Sequence, residues 1–182
     1  LLAIINDILD FSKITAGKFR LETIDFHLRH VVQEVVDLLA VAAHTKGVHL
    51  SHLLHSNVPT ALRGDPRRLR QILLNLVDNA IKFTEHGNVM VCAMNQTDSA
   101  DAVVLRIEVT DQGVGIAPEQ QARLFHPFTQ ADGSASRKYG GTGMGLAICA
   151  QLAAAMGGAI GVESALGIVS RFWFTVRLEK QA

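Results

Sequence analysis

Apolar residues recur three and four apart along some stretches of the chain and two apart along others, and the change of period marks the elements. In residues 1–19, Leu1, Ile4, Ile5, Ile8, Leu9 and Phe11 form a wide apolar face opposite Asn6, Asp7, Asp10 and Lys13, with Gly17 as a stop. This predicts a helix that needs a partner, best met by a helical bundle. Residues 22–28 read as a short strand. Residues 30–46 read as an amphipathic helix carrying Val31, Val32, Val35, Leu38, Leu39 and Ala42, closed by Gly47. Residues 48–54 are a strand, and residues 57–63 are a loop with a two-residue strand around Ala61 and Leu62.

The clearest pattern lies in residues 65–84, DPRRLRQILLNLVDNAIKFT. Asp65 is a good N-cap and Pro66 suits the first helical position. Leu69, Ile72, Leu73, Leu76, Ala80 and Ile81 make a core-facing stripe. Residues 87–94 and 102–110 then read as an antiparallel hairpin around a polar turn at 96–101. Val103, Leu105, Ile107 and Val109 mark the buried face of its second strand. The chain leaves that strand at Asp111-Gln112-Gly113-Val114-Gly115-Ile116, and Pro118 opens a short helix through Leu124. Residues 126–141 lack periodicity and are rich in Gly and Ser, as a lid or binding loop would be. A helix runs to Met156 and stops at Gly157-Gly158, and residues 159–164 and 169–178 are the last strands. Helices interleaved with hairpin-paired strands predict an α+β fold, helices on one face of a mixed sheet.

A chain of 182 residues, 48% of them hydrophobic, supports one domain, or one with a short appendage. Seventeen Lys and Arg balance 17 Asp and Glu, so no bulk charge points to nucleic acid or to an acidic membrane. No apolar run is long enough to span a bilayer, and no signal-peptide pattern is present. The chain begins Leu-Leu-Ala without Met, as a piece of a longer polypeptide would. Cys92 and Cys149 lie far apart in apolar settings, which predicts two buried thiols in a reducing compartment rather than a disulfide or a metal site.

Candidate chemistry begins on the 65–84 helix. Asn75, Asn79 and Lys82 stack on one face, although Asn is a mediocre helix former. Amide oxygens suit a magnesium ion already balanced by phosphates, and Lys82 can meet a phosphate as a point charge. A plain polar helix edge gives the same spacing. Asp111 at a strand end can accept a hydrogen bond from an exocyclic amine such as that of adenine, and Gly113 and Gly115 let backbone approach a ligand. Such turns are common without a ligand. Gly141, Gly143 and Gly145 open a helix whose bare N–H groups form an anion site. The run fits neither the Walker pattern nor the dinucleotide fingerprint. Arg137 and Lys138 precede it as a cationic pair. Phe125 and Phe128 flank Pro127 and suit the core, and Phe83 could stack on a base or pack.

The order of these segments is more specific than any one of them. N-D-N-A-I-K-F-T, D-Q-G-V-G-I, L-F-H-P-F-T-Q-A-D and G-G-T-G-M-G-L-A-I resemble the four nucleotide-binding boxes of histidine kinases, closest to the hybrid sensor-kinase branch, over residues 26–178. The resemblance implies a two-layer α/β sandwich shared with gyrase-like and heat-shock chaperone ATPases, with ATP and Mg2+ as cofactors. It implies that Asn79 ligates magnesium with Asn75 assisting, that Lys82 contacts phosphate, and that Phe83 or a neighbour covers the adenine. Asp111 would bind the adenine amino group, while Gly113, Gly115 and Ile116 shape the pocket. Gly141, Thr142, Gly143, Met144, Gly145 and Leu146 would cradle the phosphates, with Arg137 and Lys138 acting from the lid.

Residues 1–20 resemble the second helix of the dimerisation and phosphoacceptor hairpin, through I-L-D-F-S-K-I-T-A-G-K, and residues 21–182 the ATP-binding catalytic domain. The implied partners are that hairpin, a response-regulator receiver domain in cis or trans, and a second copy in a homodimer. The implied location is the cytoplasmic part of a membrane-bound sensor. None of the eight His has the acceptor context, so the phosphoacceptor lies outside this chain. Met144 stands where Leu is usual, and Val169 where Gly commonly precedes Ser170. The expected function is transfer of the ATP γ-phosphate to that absent His. The alternatives are a gyrase-type ATPase, for which Asn75 is a poor base, and a non-catalytic nucleotide-binding module.

Overall fold

The computed structural model describes residues 12, 19–129 and 143–181. The N-terminal helix expected over residues 1–19 and most of the 126–141 loop, with Arg137, Lys138, Gly141 and Thr142, lie outside the described residues.

The elements in order are β1 (Ile24–His27), α1 (Leu28–Lys46), β2 (Val48–Leu54), β3 (Ala61–Gly64), α2 (Pro66–Phe83), β4 (Gly87–Asp98), β5 (Ala102–Asp111), α3 (Pro118–Gln121), α4 (Gly145–Ala155), β6 (Ile160–Ala165) and β7 (Val169–Lys180). The strands form a seven-stranded sheet in the order β1-β3-β7-β5-β4-β2. Strand β7 is long enough to pair β6 along Val169–Phe174 and β3 at its far end. Among the described strands only β2 and β4 run parallel, so the sheet is mixed as expected. No described helix is long and apolar enough to cross a membrane.

Period-two patterning drives one face of this sheet inward. Val103, Leu105, Ile107 and Val109 of β5 are buried, together with Phe172, Phe174, Val176 and Leu178 of β7 and Val89, Val91 and Ala93 of β4. Helix α2 lays its whole expected stripe on that face and adds Val77. Its cap is the expected one: an Asp65 oxygen accepts the Arg68 N–H at 3.1 Å. In α4, Cys149 is buried beside Ile148 and Leu152. Cys92 is buried too, and neither cysteine is in a disulfide.

Several boundaries differ from the sequence reading. Helix α1 begins at Leu28, because the Leu28 N–H finds the Thr60 carbonyl at 2.8 Å. Its buried stripe is therefore Leu28, Val31, Val32, Val35, Val36 and Ala43, leaving Leu38 58% exposed. Strand β4 extends to Asp98 and the turn shrinks to residues 99–101. A register shift between Asn95 and Thr97 absorbs the extra residue, and the Ser99 hydroxyl accepts the Ala102 N–H at 3.1 Å. The Pro118 helix stops at Gln121, and residues 122–125 continue as turns. Val169 does not disturb the last hairpin: Gly167, two residues earlier and at φ 74°, makes the turn, and Val169 pairs regularly with Ala165.

Candidate functional site

Helix α2 is the spine of the site, and two other segments close on its polar edge. Past its midpoint, Asn79 Nδ2 donates to Asn75 Oδ1 at 3.2 Å, so the two amides act as a pair one turn apart. A Cβ on Gly145 would lie 2.2 Å from Asn75 Nδ2. Only glycine lets the first turn of α4 rest on that amide. The first turn of α4 therefore packs directly against the amide pair. Met144, the residue before it, is 2% exposed and anchors the turn in the core, while Leu146 is partly buried. Gly143 bends in with φ 69°, and its carbonyl accepts the Phe128 N–H at 3.0 Å.

The C-terminal end of α2 meets the loop after β5. A Cβ on Gly113 would lie 2.4 Å from the Phe83 carbonyl oxygen and 2.8 Å from Asp111 Oδ1. The Gly113 N–H donates to that same Asp111 oxygen at 2.9 Å. Asp111 is 3% exposed. Burial at the end of this central strand pushes its carboxyl up to about 6, against the opposing pull of the Gly113 N–H. Among the described residues no cation pairs with it. One carboxylate oxygen is thus held by backbone.

The loop is fastened on its far side by residues the sequence reading did not single out. The Ile116 N–H donates to Ser164 Oγ at 2.9 Å, and Ser164 Oγ lies 2.9 Å from Ser170 Oγ. Gln121 Nε2 donates to the Ile116 and Ser164 carbonyls at 2.8 and 3.0 Å. Ser170 is buried and stands opposite Asp111 in the β5–β7 register. The only sequence signal was a pair of hydroxyls flanking a glycine turn.

Two further departures concern cations and rings. Lys82 Nζ is 2.8 Å from Asp78 Oδ2, an i,i+4 pair whose partner was not foreseen. Lys46 Nζ donates to the Ile81 carbonyl at 2.7 Å and also to the Lys82 carbonyl, capping α2 from α1. Phe125 packs edge-on against Phe172 at 6.5 Å, as expected of a core residue. Phe128 does not: it is 74% exposed with φ 61°. Phe83 is 36% exposed at the end of α2. Among the described residues no cluster of His, Cys, Asp and Glu could hold a metal ion. A cavity of about 420 Å³ opens beside Asn75 and Gly145, walled by Leu39, Leu74 and Ile148.

Residues 64–180 match the family described as histidine kinase-, DNA gyrase B-, and HSP90-like ATPase. Over 180 residues the chain is 50% identical to the sensor protein GacS of Pseudomonas syringae pv. syringae, covering 99% of this chain and 20% of that protein. Over 179 residues it is 49% identical to the signal transduction histidine-protein kinase BarA of Escherichia coli strain K12, covering 98% of this chain and 20% of BarA. The chain thus spans about a fifth of the length of these relatives. Among solved structures, full-length ShkA in complex with AMPPNP superposes with a TM-score of 0.87 at 38% identity, covering all of this chain and 36% of ShkA. The catalytic domain of histidine kinase ThkA, nucleotide free, gives 0.69 at 26% identity, covering 86% of this chain and 97% of that one.

Proposed function

This chain belongs to the histidine kinase-, DNA gyrase B- and HSP90-like ATPase family and carries the ATP-binding catalytic domain of the sensor-kinase kind, and we propose that residues 21–182 position Mg-ATP for transfer of its γ-phosphoryl group to a His on a hairpin outside the chain. The observation that carries this reading is the double contact along α2, Gly145 against Asn75 and Gly113 against the Phe83 carbonyl. Residues 75 and 83 are about 12 Å apart along the helix axis. A nucleotide laid along that edge has its base at the Asp111 end and its phosphates at the Asn75 end.

The side chains then divide the work. Asp111 accepts a hydrogen bond from the adenine amine, with Gly113, Gly115, Ile116 and Phe83 as pocket walls. Asn79, assisted by Asn75, holds Mg2+, which supplies charge neutralisation at the phosphate oxygens. Lys82 shares its charge between Asp78 and a phosphate. The N–H groups of Gly143, Met144, Gly145 and Leu146 receive phosphate oxygens, with Arg137, Lys138, Gly141 and Thr142 completing the same box. Phosphoryl transfer asks little covalent chemistry of the protein, and positioning plus charge stabilisation suffice. Asn75 cannot take a proton from water, which separates this site from an ATP-hydrolysing clamp. The partners that follow are the acceptor hairpin, a second copy joined through it, and a receiver domain, on the cytoplasmic side.

Titrating the chain with a non-hydrolysable ATP analogue, with and without magnesium, tests the reading. Removing magnesium should weaken binding at least tenfold. Asn79→Ala should weaken it similarly and abolish the magnesium dependence. Equal affinity under all four conditions would remove the metal assignment.

A further inference from the structure

Asp65 does more than an N-cap requires. One oxygen suffices to cap a helix, and Ser or Asn serves as well as Asp. Here the carboxylate is 4% exposed and both oxygens are engaged. Oδ1 accepts the Arg68 N–H of α2 at 3.1 Å. Oδ2 accepts the N–H of Glu22, 43 residues earlier, at 3.0 Å. Side chains from the same helical turn hold the incoming chain as well. Arg68 lies over the Phe19 ring at 4.8 Å, and Arg67 reaches Glu22 at 3.7 Å. Phe19 and Leu21 pack against the core from the outside. Burying a carboxylate is costly unless its hydrogen bonds are worth having, so a two-sided bond is the more informative use of Asp at this position.

We propose that Asp65 is a positioning residue for the phosphoryl transfer: it ties the path of residues 19–23 to the N-terminus of the helix that carries Asn75, Asn79 and Lys82. The proposal rests on the function proposed above. Transfer needs donor phosphate and acceptor imidazole within about 3–3.5 Å and in line. A loose joint at residues 19–23 would let the nucleotide helix swing relative to whatever precedes it. Asp65 removes that joint by making the chain's approach and the nucleotide helix one rigid piece.

Two substitutions separate the clamp from the cap. Asp65→Asn keeps an oxygen for the Arg68 N–H and puts an NH2 group before the Glu22 N–H. Glu22→Pro deletes the donor from the other side, together with the exposed Arg67 ion pair, and leaves the Arg68 cap in place. In the 182-residue chain, hydrogen exchange at Glu22 should rise about tenfold or more in Asp65→Asn, while the Arg68 amide and nucleotide affinity stay unchanged. Equal Glu22 exchange in wild type and variant would overturn the clamp. In the chain extended by an acceptor hairpin, both variants should lower kcat for autophosphorylation about tenfold with KM for ATP unchanged. The double variant should be no worse than either single. An unchanged kcat despite faster Glu22 exchange would overturn the positioning role. A wild type that binds ATP and never labels the hairpin would refute the proposed transfer instead, and the exchange result would still decide the clamp.

Discussion

Replacing Asp111 by Asn should make the protein more resistant to unfolding at neutral pH while destroying its nucleotide affinity. The carboxyl is pushed from 3.8 to about 6 by burial. A native pKa above the unfolded one means the folded state holds its proton more tightly. Stability is then full below about pH 4 and falls as pH rises through the window to 6, where the folded group finally ionises. Each unit corresponds to about 1.4 kcal/mol, so the ionised group costs about 3 kcal/mol at pH 7. Asn carries no charge and keeps the oxygen that receives the Gly113 N–H, placed at 2.9 Å in the wild type. It also buries an amide donor, which costs about 1–3 kcal/mol at every pH. That second cost cancels from the pH dependence. Urea unfolding of both proteins at pH 4, 5, 6 and 7 should therefore give a difference that grows in favour of the variant by about 2 kcal/mol across the series. Parallel profiles, with a constant difference, would refute the placement of a buried, unpaired carboxylate at this point. ATP-analogue affinity should be lost in the variant, and in the wild type it should weaken below pH 6 as Asp111 takes up its proton.

Two other substitutions test the frame around that acid. Gly145→Ala places a methyl where only 2.2 Å separates it from the Asn75 amide, so α4 or the amide must shift; calorimetry should show about 1–3 kcal/mol of destabilisation and titration at least a tenfold loss of nucleotide affinity. Lys46→Met keeps the aliphatic stem and strips the donors from the Ile81 and Lys82 carbonyls; unfolding should show a loss of about 1–3 kcal/mol, with faster amide exchange confined to the last turn of α2.

The elements legible in the sequence were those whose local signals agree with their tertiary surroundings. Helix α2 has a cap, a proline at its first position and a full apolar stripe, and it formed where the pattern put it. Strand β5 alternates cleanly and buries the expected face. Misplaced boundaries were those settled by distant partners. The start of α1 depends on the Thr60 carbonyl, and the length of β4 depends on a bulge opposite polar residues that read as a turn. In the site, the glycines and the acid could be singled out because the order of the segments that carry them is specific, although each turn alone is common. Ser164, Ser170, Gln121 and Lys46 were not, because a hydroxyl, an amide or a lysine has no local pattern, and its role exists only once β6, β7 and α1 are in place. Phe128 misled for the opposite reason: its apolar side chain suggested the core, and a backbone turned to φ 61° carries it outward.

Several of the costs found in this domain lie near α2, while another, the buried and unpartnered Asn95 Oδ1, lies on β4. Asp111 is buried without a cation among the described residues. The Thr84 hydroxyl, just past the helix end, is buried with no described partner. Phe128 holds a backbone conformation that a bulky side chain disfavours. Elsewhere the sheet's ionic groups are paired on its outer face, as in Arg106 with Glu108 at 2.7 Å and with Glu163 at 3.2 Å. A fold selected for stability alone would place an amide or an apolar residue at 111 and spread its strain. Expense at the meeting point of α2 with the two glycine segments is what a site would show if its groups are arranged for a ligand that completes their hydrogen bonds. On that argument a bound nucleotide should reverse the sign of the Asp111→Asn comparison. With saturating ATP analogue and magnesium the wild type becomes the more stable protein at pH 7, because only it gains binding free energy on folding.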